Sequence, residues 1–310
     1  MKNLTTPSAP PRRASRWLDG EAGRRLVIGV PYTWLLVFFL IPFLIVLKLS
    51  LVEMETGNPF GTLLSFADGV VTFKVKISNF LFIAQDDLYV LTYLSSLKYA
   101  GITTLFCLAI GYPFAYFMAR ARATLRPTLL MLVMLPFWTS FLLRIYAWKG
   151  ILANNGILNH LLLSLGLIHE PLHMMNTPFS LLIGMVYAYL PFMILPLYAN
   201  LVKLDLRFLE AAADLGATPW QTFWRITVPL SKSGIIAGAM LVFIPCVGEF
   251  VIPELLGGPE TLMIGHVLWD EFFSNNDWPM ASAVTVVLIL VILLPLGIYN
   301  KYQAKQGERP

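Results

Sequence analysis

Acidic side chains are the groups in this 310-residue chain whose positions most suggest chemistry. Glu249 lies inside a long apolar stretch, where a charge is costly unless it faces protein or water, so it is a functional candidate. Twelve of the 18 Asp and Glu residues, from Glu53 to Asp277, lie on the outer side of a membrane or in the outer part of a span, under the topology given below. Such a surface attracts cations, although a solvated acidic loop surface explains these charges equally well.

The sequence has no pattern typical of bond-making chemistry. It contains no Walker-type Gly-x-x-x-x-Gly-Lys-Ser/Thr loop and no His-Glu-x-x-His motif. Cys107 and Cys246 are its two cysteines, and both lie in apolar runs, which predicts buried free thiols. His169 and His173 flank Pro171, which favours a loop with two solvated histidines over a metal site. We therefore expect no catalytic residue, no metal and no cofactor in this chain.

Membrane-spanning helices are the elements that must position these residues. The chain is 57% hydrophobic and 13% charged, whereas a soluble domain has about a quarter of its residues charged. This composition excludes a soluble globular enzyme. A bilayer core about 30 Å thick needs about 20 apolar residues per helix. Apolar runs of about that length predict six spans, at 26–49, 99–118, 127–148, 178–201, 234–256 and 281–299.

The distribution of Lys and Arg predicts how these spans are oriented. Under the six-span arrangement, 16 of the 22 basic residues fall in the two terminal segments and in the loops after the second and fourth spans. Because cytoplasmic loops carry the excess of Lys and Arg, both termini are predicted to be cytoplasmic. Positive charge confined to these loops is a topology signal rather than a nucleic-acid-binding stripe. The predicted plan is a cytoplasmic tail at 1–25, a membrane domain at 26–301 and a cytoplasmic tail at 302–310.

The loop between spans four and five has the pattern of two short capped helices. Asp205 is expected to cap the first helix, and Gly216 to end it. Thr218 and Gln221 predict a capping box for the second helix, which is expected to end before Pro229. From this pattern alone, a compact cytoplasmic knob and an ordinary amphipathic connector are equally good interpretations.

The same loop resembles the cytoplasmic signature of the permeases of ATP-binding-cassette (ABC) importers. The letters EAAADLGA at 210–217 carry the resemblance, together with an Ile-x-x-Pro pattern that ends at Pro229. Val228 stands where Leu is more common. In that family this loop docks in a cleft of a cytoplasmic ATPase, so the resemblance implies that 203–230 is a coupling loop. The residues that it implicates are Glu210, Ala211, Ala212, Asp214, Gly216, Ala217, Phe223 and Pro229.

Three other stretches extend the resemblance over most of the chain. The letters PFWTSFLLRIYAW at 136–148, GEFVIPELLGGP at 248–259 and DWP at 277–279 are similar to permeases of polyamine importers. The similarity is to the first of the two permeases of putrescine/spermidine systems. It implies an all-α type I ABC importer permease fold in a bacterial inner membrane, moving putrescine and/or spermidine from periplasm to cytoplasm.

The resemblance also implies partners and places the energy source outside this chain. The expected partners are a second homologous permease, two copies of an ATPase subunit, a periplasmic polyamine-binding protein and the lipid bilayer, with no nucleic acid. ATP and Mg are expected to bind the ATPase. The alternative is an ion-coupled secondary transporter or channel for small organic cations. Such a protein usually shows more spans or an internal repeat, and it needs no cytoplasmic knob.

A polyamine path needs carboxylates and aromatic faces that attract ammonium groups. The candidates are Glu249, Glu254, Trp138, Tyr146, Asp270 and Glu271. Three alternatives stay open. Glu249 can instead form a structural pair with Arg144, and Trp138 can belong to an interfacial aromatic belt. Asp270 and Glu271 can meet a binding protein as readily as a substrate.

Overall fold

The described part of the protein is helical apart from one small hairpin. The computed structural model describes residues 21–52, 64–67, 70–73 and 75–307. The hairpin pairs strand β1 (Leu64–Ala67) with strand β2 (Val70–Phe73) in antiparallel register. Its second strand reads Val-Val-Thr-Phe, and β-branched and aromatic residues favour strands. The hairpin is an addition to the predicted all-helical architecture. Most of the predicted N-terminal tail, residues 1–20, lies outside the described residues.

Fifteen α-helical segments follow one another through the described residues. Those of the first half are α1 (Glu21–Leu35), α2 (Ile41–Ser50), α3 (Ser78–Gln85), α4 (Asp87–Arg120), α5 (Arg126–Met134), α6 (Phe141–Leu152) and α7 (Ile157–Ser164). Those of the second half are α8 (Pro178–Leu201), α9 (Arg207–Asp214), α10 (Pro219–Thr222), α11 (Val228–Leu230), α12 (Lys232–Val247), α13 (Val251–Leu256), α14 (Ile264–Trp269) and α15 (Trp278–Gly307).

Short turns of other helix types continue several of these segments. Wide π turns join α1 to α2, join α10 to α11 and extend α14, at Leu36–Leu40, Phe223–Thr227 and Asp270–Ser274. Tighter 3₁₀ turns extend α5 and precede α14, at Leu135–Trp138 and Pro259–Thr261. Single π turns inside helices are frequent at functional sites.

Four helical stretches are long and apolar enough to cross a membrane: Gly23–Ser50, Asp87–Arg120, Pro178–Leu201 and Trp278–Gly297. Two further pairs of helices pass the same test together, each with a bend. The bend is 85° between Arg126–Trp138 and Phe141–Ser164, and 66° between Pro219–Leu230 and Lys232–Val247. Counting each bent pair as one span gives the six spans that the sequence predicts.

Three helices, α4, α8 and α12, form the centre of the bundle. Gly234 and Gly238, four residues apart on α12, allow its backbone to approach α8. A Cβ added at Gly238 would lie 2.7 Å from the sulfur of Met193 and 3.2 Å from its carbonyl oxygen. A Cβ at Gly234 would lie 2.7 Å from Asn200. Pairs of small residues at this spacing are common where membrane helices pack closely.

The outer ends of the bundle are joined by polar contacts from α4. Tyr93 donates a hydrogen bond to the carbonyl of Val284 at 2.7 Å, and Ser96 accepts one from the backbone of Ile264 at 2.7 Å. These bonds hold α14 and α15 against α4. They position the last outer loop, which carries Asp270 and Glu271.

The span boundaries differ from the predicted ones in length and continuity. The fourth span, Pro178–Leu201, is as predicted. The second begins at Asp87 rather than at 99, because the side chain of Asp86 accepts a hydrogen bond from Leu88 at 2.8 Å and caps a polar extension of the helix. The third and fifth are broken instead of continuous.

The predicted tails are helical where the structure describes them. α1 already begins at Glu21, within the predicted tail 1–25, and α15 continues to Gly307, within the predicted tail 302–310. Both corrections have one reason. Hydropathy marks the part of a helix that lies in the bilayer, whereas backbone hydrogen bonding continues into polar residues beyond it.

Candidate functional site

The predicted knob, residues 203–230, folds as two short helices around a glycine turn. Asp205 accepts a hydrogen bond from the backbone of Arg207 at 3.0 Å, which confirms the predicted cap of α9. Gly216 has φ +80°, a conformation that glycine adopts at little cost. Thr218 and Gln221 form the predicted capping box, with bonds of 3.0 and 3.3 Å.

The second helix of the knob does not end before Pro229 as predicted. It continues through a π turn at Phe223–Thr227 and then through Val228–Leu230. Pro229 lies at the start of this last α-helical turn. Because the helix is continuous here, Pro229, which lacks an N–H, leaves out one backbone hydrogen bond, and it does so directly after the π turn.

The predicted coupling residues divide between two faces of the knob. Glu210, Ala211 and Asp214 are exposed, whereas Ala212 is buried. Phe223 also turns inward, and its ring contacts those of Tyr112 and Tyr116 on α4. The knob therefore presents a charged outer face, on which Arg207 is also exposed, and holds to the bundle by its inner face.

The knob also exposes several apolar side chains beside its charged residues. The sequence analysis did not identify them. They are exposed and comprise Leu206, Phe208, Leu215, Trp220 and Trp224. The rings of Trp220 and Trp224 lie 5.6 Å apart. Their spacing of four residues in a helical segment was the available signal. Exposed apolar patches of this kind mark interaction surfaces.

Glu249 lies in the break between α12 and α13, inside the stretch 234–256 that the sequence predicts as a continuous span. Its Oε1 atom accepts hydrogen bonds from the backbone of Val251 at 3.0 Å and of Ile252 at 3.4 Å. The carboxylate thus caps the N-terminus of α13, where negative charge is favourable. Its Oε2 atom accepts a hydrogen bond from the hydroxyl of Tyr189 on α8. A cap at an interrupted span is a third role, which the two sequence-based alternatives did not include.

Arg144 is not the partner of Glu249. Within the described part of the chain it forms no ion pair, and its Nε atom is buried without a hydrogen-bond partner. Its guanidinium lies over the rings of Phe137, at 5.0 Å, and Phe141, at 5.7 Å. The predicted structural pair is therefore absent from these residues.

Glu254 and Asp270 are brought together by a residue that sequence analysis missed. Glu254 lies 2.5 Å from Nε2 of His266, and Asp270 lies 3.0 Å from Nδ1 of the same ring. His266 and Glu254 also line an outer cavity of about 390 Å³, bordered by Asn176 and Thr261. The spacing of four residues between His266 and Asp270 was the one signal in the sequence.

Glu271 is held apart from this group. It accepts a hydrogen bond from the hydroxyl of Tyr89 on α4 at 2.7 Å and another from Asn275 at 3.0 Å. The bond from Tyr89 fixes the outer loop to the bundle, and the bond from Asn275 lies within the loop. Asp270 and Glu271 lie in the π turn that extends α14.

Trp138 and Tyr146, the two aromatic candidates for a polyamine path, do not pack together among the described residues. Trp138 ends the 3₁₀ turn and is 78% exposed, and Tyr146 lies on α6 and is 53% exposed. The 85° bend separates the two helices that carry them. Trp148 packs instead against Tyr187 of α8, with ring centroids 5.5 Å apart.

The two cysteines lie in the core, as predicted. Cys107 on α4 and Cys246 on α12 are fully buried and unbonded to each other. Their role is packing between the central helices.

The fold and the knob together define a multi-pass membrane transport component with a capped cytoplasmic protrusion before its fifth span. Residues 107–305 match the family of binding-protein-dependent transport system inner membrane components, and the chain belongs to this family. It is a transport subunit rather than an enzyme, and the family does not favour the ion-coupled alternative.

Known relatives match nearly the whole chain. It is 41% identical over 278 residues to the spermidine/putrescine transport system permease protein PotB of Haemophilus influenzae, covering 90% of this chain and 93% of that protein. It is 42% identical over 266 residues to PotB of Escherichia coli, covering 86% and 92%. Among solved structures, a bacterial alginate ABC transporter in complex with an alginate pentasaccharide-bound periplasmic protein has a TM-score of 0.68 at 16% identity, covering 94% of this chain and 98% of that chain. The predicted all-α permease fold is confirmed.

Proposed function

We propose that this chain is the permease subunit through which an ATP-driven ABC importer moves putrescine and/or spermidine from periplasm to cytoplasm. The observation that carries the proposal is the 41% identity over 278 residues to a permease named for spermidine and putrescine. Relatives at this identity over nine tenths of the chain support a shared substrate class. The proposed location is the inner membrane of a bacterium.

Glu249 supports the proposal as a candidate substrate contact. A carboxylate has about four lone-pair sites, and three are occupied by Tyr189, Val251 and Ile252. One site is left for an ammonium group. The break between α12 and α13 supplies the irregular backbone that membrane proteins tolerate where it lines a cavity.

The outer loop supports a route toward Glu249. Glu254 and Asp270 flank His266 beside the outer cavity, and both carboxylates are partly exposed. We assign this acidic surface to the capture of a cationic substrate released by a periplasmic binding protein. Trp138 and Tyr146 remain proposed contacts through their exposed faces.

The knob supports docking to an ATPase. Its charged outer face exposes the carboxylates of Glu210 and Asp214, and Trp220 is one of the apolar side chains exposed beside them. Protein–protein interfaces combine apolar and polar contacts, so this surface is suited to bind in a cleft of an ATPase. We assign Glu210, Ala211, Ala212, Asp214, Gly216, Ala217, Phe223 and Pro229 to this coupling function, with one ATPase subunit for each of two permeases. ATP and Mg would bind the ATPase.

The first span supports pairing with a second permease. α2 packs against α15, whereas every side chain from Val30 to Leu40 is exposed. Trp34, Phe38 and Phe39 stand on this unpacked segment. A helix that contributes so little to its own bundle is available to pack on the homologous subunit.

Reconstitution tests the proposal. The chain would be co-expressed with its candidate second permease, ATPase and binding protein and placed in liposomes. We expect ATP-dependent uptake of labelled putrescine or spermidine that competes with the unlabelled polyamine. A complex with a hydrolysis-deficient ATPase is the control and should import nothing. Uptake driven by an ion gradient without ATP, or uptake only of non-cationic solutes, would contradict the proposal.

A further inference from the structure

A buried hydrogen bond ties the base of the knob to α4. Ser231 is fully buried where Pro219–Leu230 meets Lys232–Val247 at 66°. Its hydroxyl lies 2.8 Å from that of Tyr112 on α4. The Ser231 hydroxyl donates its proton to the carbonyl of Val228 at 3.0 Å. Either hydroxyl of the pair can be the donor, and donation by Tyr112 leaves the Ser231 proton for Val228.

An aromatic contact joins α4 to the same region of the knob. The ring of Phe223 lies edge-on to Tyr112, at 5.5 Å and 88°, and to Tyr116, at 6.1 Å and 87°. Edge-to-face rings at these distances attract each other. We call Tyr112, Tyr116, Phe223 and Ser231 the knob joint. It combines one buried hydrogen bond with one cluster of aromatic rings.

The two sides of the knob joint differ in how firmly they are held. Tyr112 follows Gly111, which packs so closely on α8 that an added Cβ would lie 3.2 Å from Met193. The knob, in contrast, protrudes from the bundle, and Phe223 lies in a π turn. A displacement of the knob must therefore either bend the chain at Ser231 or carry α4 and α12 with it.

Whether the chain bends at Ser231 or moves as one unit with α4 and α12 depends on the hydrogen bond between Tyr112 and Ser231. A buried hydroxyl pair fixes one relative orientation of its two elements, because losing the bond would leave a polar group unsatisfied. With the bond in place, Tyr112 on α4 holds both Phe223 of the knob and Ser231 at the start of α12. A moving knob then carries the packed pair α4 and α12 with it, and α12 leads to the break at 248–250, where Glu249 lies.

We propose that Tyr112 is a positioning residue for energy coupling: its hydrogen bond to Ser231 makes a displacement of the knob carry α4 and α12 with it instead of bending the joint. The inference rests on the proposed function, since the displacement is that imposed by the ATPase. It assigns to Tyr112 a role in transmission, without any contact to substrate or ATP.

The test compares Tyr112→Phe with Tyr116→Phe in the reconstituted complex. Both variants keep the ring against Phe223, and only the first removes the bond to Ser231. We expect Tyr112→Phe to lower polyamine imported per ATP hydrolysed by about fivefold, the effect of one hydrogen bond. Ser231→Ala should do the same, and the double variant should add nothing further. Tyr116→Phe should match the wild type.

A purely structural role predicts a different result. In that case Tyr112→Phe would lower the melting temperature and yield of the complex while import per ATP stayed at the wild-type value, and the proposal would be overturned. A second readout needs no transport at all. Amide hydrogen exchange across 227–233 in the purified complex should become faster in Tyr112→Phe and not in Tyr116→Phe.

The exchange measurement separates this inference from the function on which it rests. If the wild-type complex imports no polyamine, the proposed function fails, yet faster exchange in Tyr112→Phe would still support the bond as the element that holds the joint. Unchanged exchange together with unchanged import per ATP would overturn the inference while leaving the proposed function intact.

Discussion

At the residue scale, the charge of Glu249 can be separated from its capping role. Glu249→Gln keeps an oxygen that accepts from Val251 and Ile252 and keeps a partner for Tyr189. We expect normal assembly and a loss of transport equivalent to about 1–3 kcal/mol, because one ammonium contact loses its charge. Initial uptake rates per assembled complex measure the effect.

Two further substitutions control this prediction. Glu249→Ala removes the cap as well as the charge, so it should cost about 1 kcal/mol of stability and lower the yield of complex. Adding Arg144→Gln to Glu249→Gln should change nothing in yield, since Arg144 makes no ion pair in the described part of the chain. Recovery of a lost yield by the second change would show that the two residues pair.

At the element scale, the turn of the knob depends on a left-handed glycine. Gly216 has φ +80° with nothing within 4 Å of an added Cβ, so conformation rather than space restricts it. Gly216→Val should strain the turn by about 1–2 kcal/mol and reduce ATP-driven uptake strongly. Uptake and membrane insertion are measured together, and insertion should persist.

Gly216→Asn is the matched control for this turn. Asparagine adopts the left-handed region far more readily than a β-branched residue, while it adds a side chain of comparable size. Uptake near the wild-type level in Gly216→Asn would assign the defect of Gly216→Val to backbone strain. An equal loss in both variants would instead show that added bulk blocks docking.

The packing of α12 on α8 gives a second prediction at this scale. Gly238→Ala places a methyl group 2.7 Å from the sulfur of Met193 and 3.2 Å from its carbonyl oxygen. Overpacking of this kind typically costs about 1–3 kcal/mol. We expect a lower melting temperature of the purified complex. Gly101→Ala on α4, with open space around the added Cβ, should leave the melting temperature unchanged or raised, and equal melting of both variants would contradict the close approach.

At the scale of the whole molecule, the predicted topology places the α4–α5 loop inside and the α14–α15 loop outside. Ala123 and Asn275 are exposed in these two loops. In a variant without Cys107 and Cys246, cysteines at these positions should react with an impermeant thiol reagent from opposite faces of the membrane. Labelling of both from one face would refute the six-span arrangement.

The sequence by itself determined the class of the protein, its spans and the local structure of the knob. Hydropathy reports burial in lipid directly, and the fourth span was predicted to the residue because its apolar run and its helix coincide. The caps at Asp205 and Thr218 were predicted because capping depends on residues within three positions of each other. The EAAADLGA stretch at 210–217 pointed to ABC importer permeases, and residues 107–305 match the family of binding-protein-dependent transport system inner membrane components.

Only the tertiary structure decided how distant residues meet. Glu249 caps α13 and accepts from Tyr189, and His266 joins Glu254 to Asp270, because folding brings together groups that lie up to 60 positions apart. The break at 248–250 and the 85° bend in span three are invisible to hydropathy, which averages over a window and does not register backbone direction. Tyr112 gave no sequence signal at all. Its partner Ser231 lies 119 residues away, and that distance is closed by the packing of α4 and α12 in the core of the bundle.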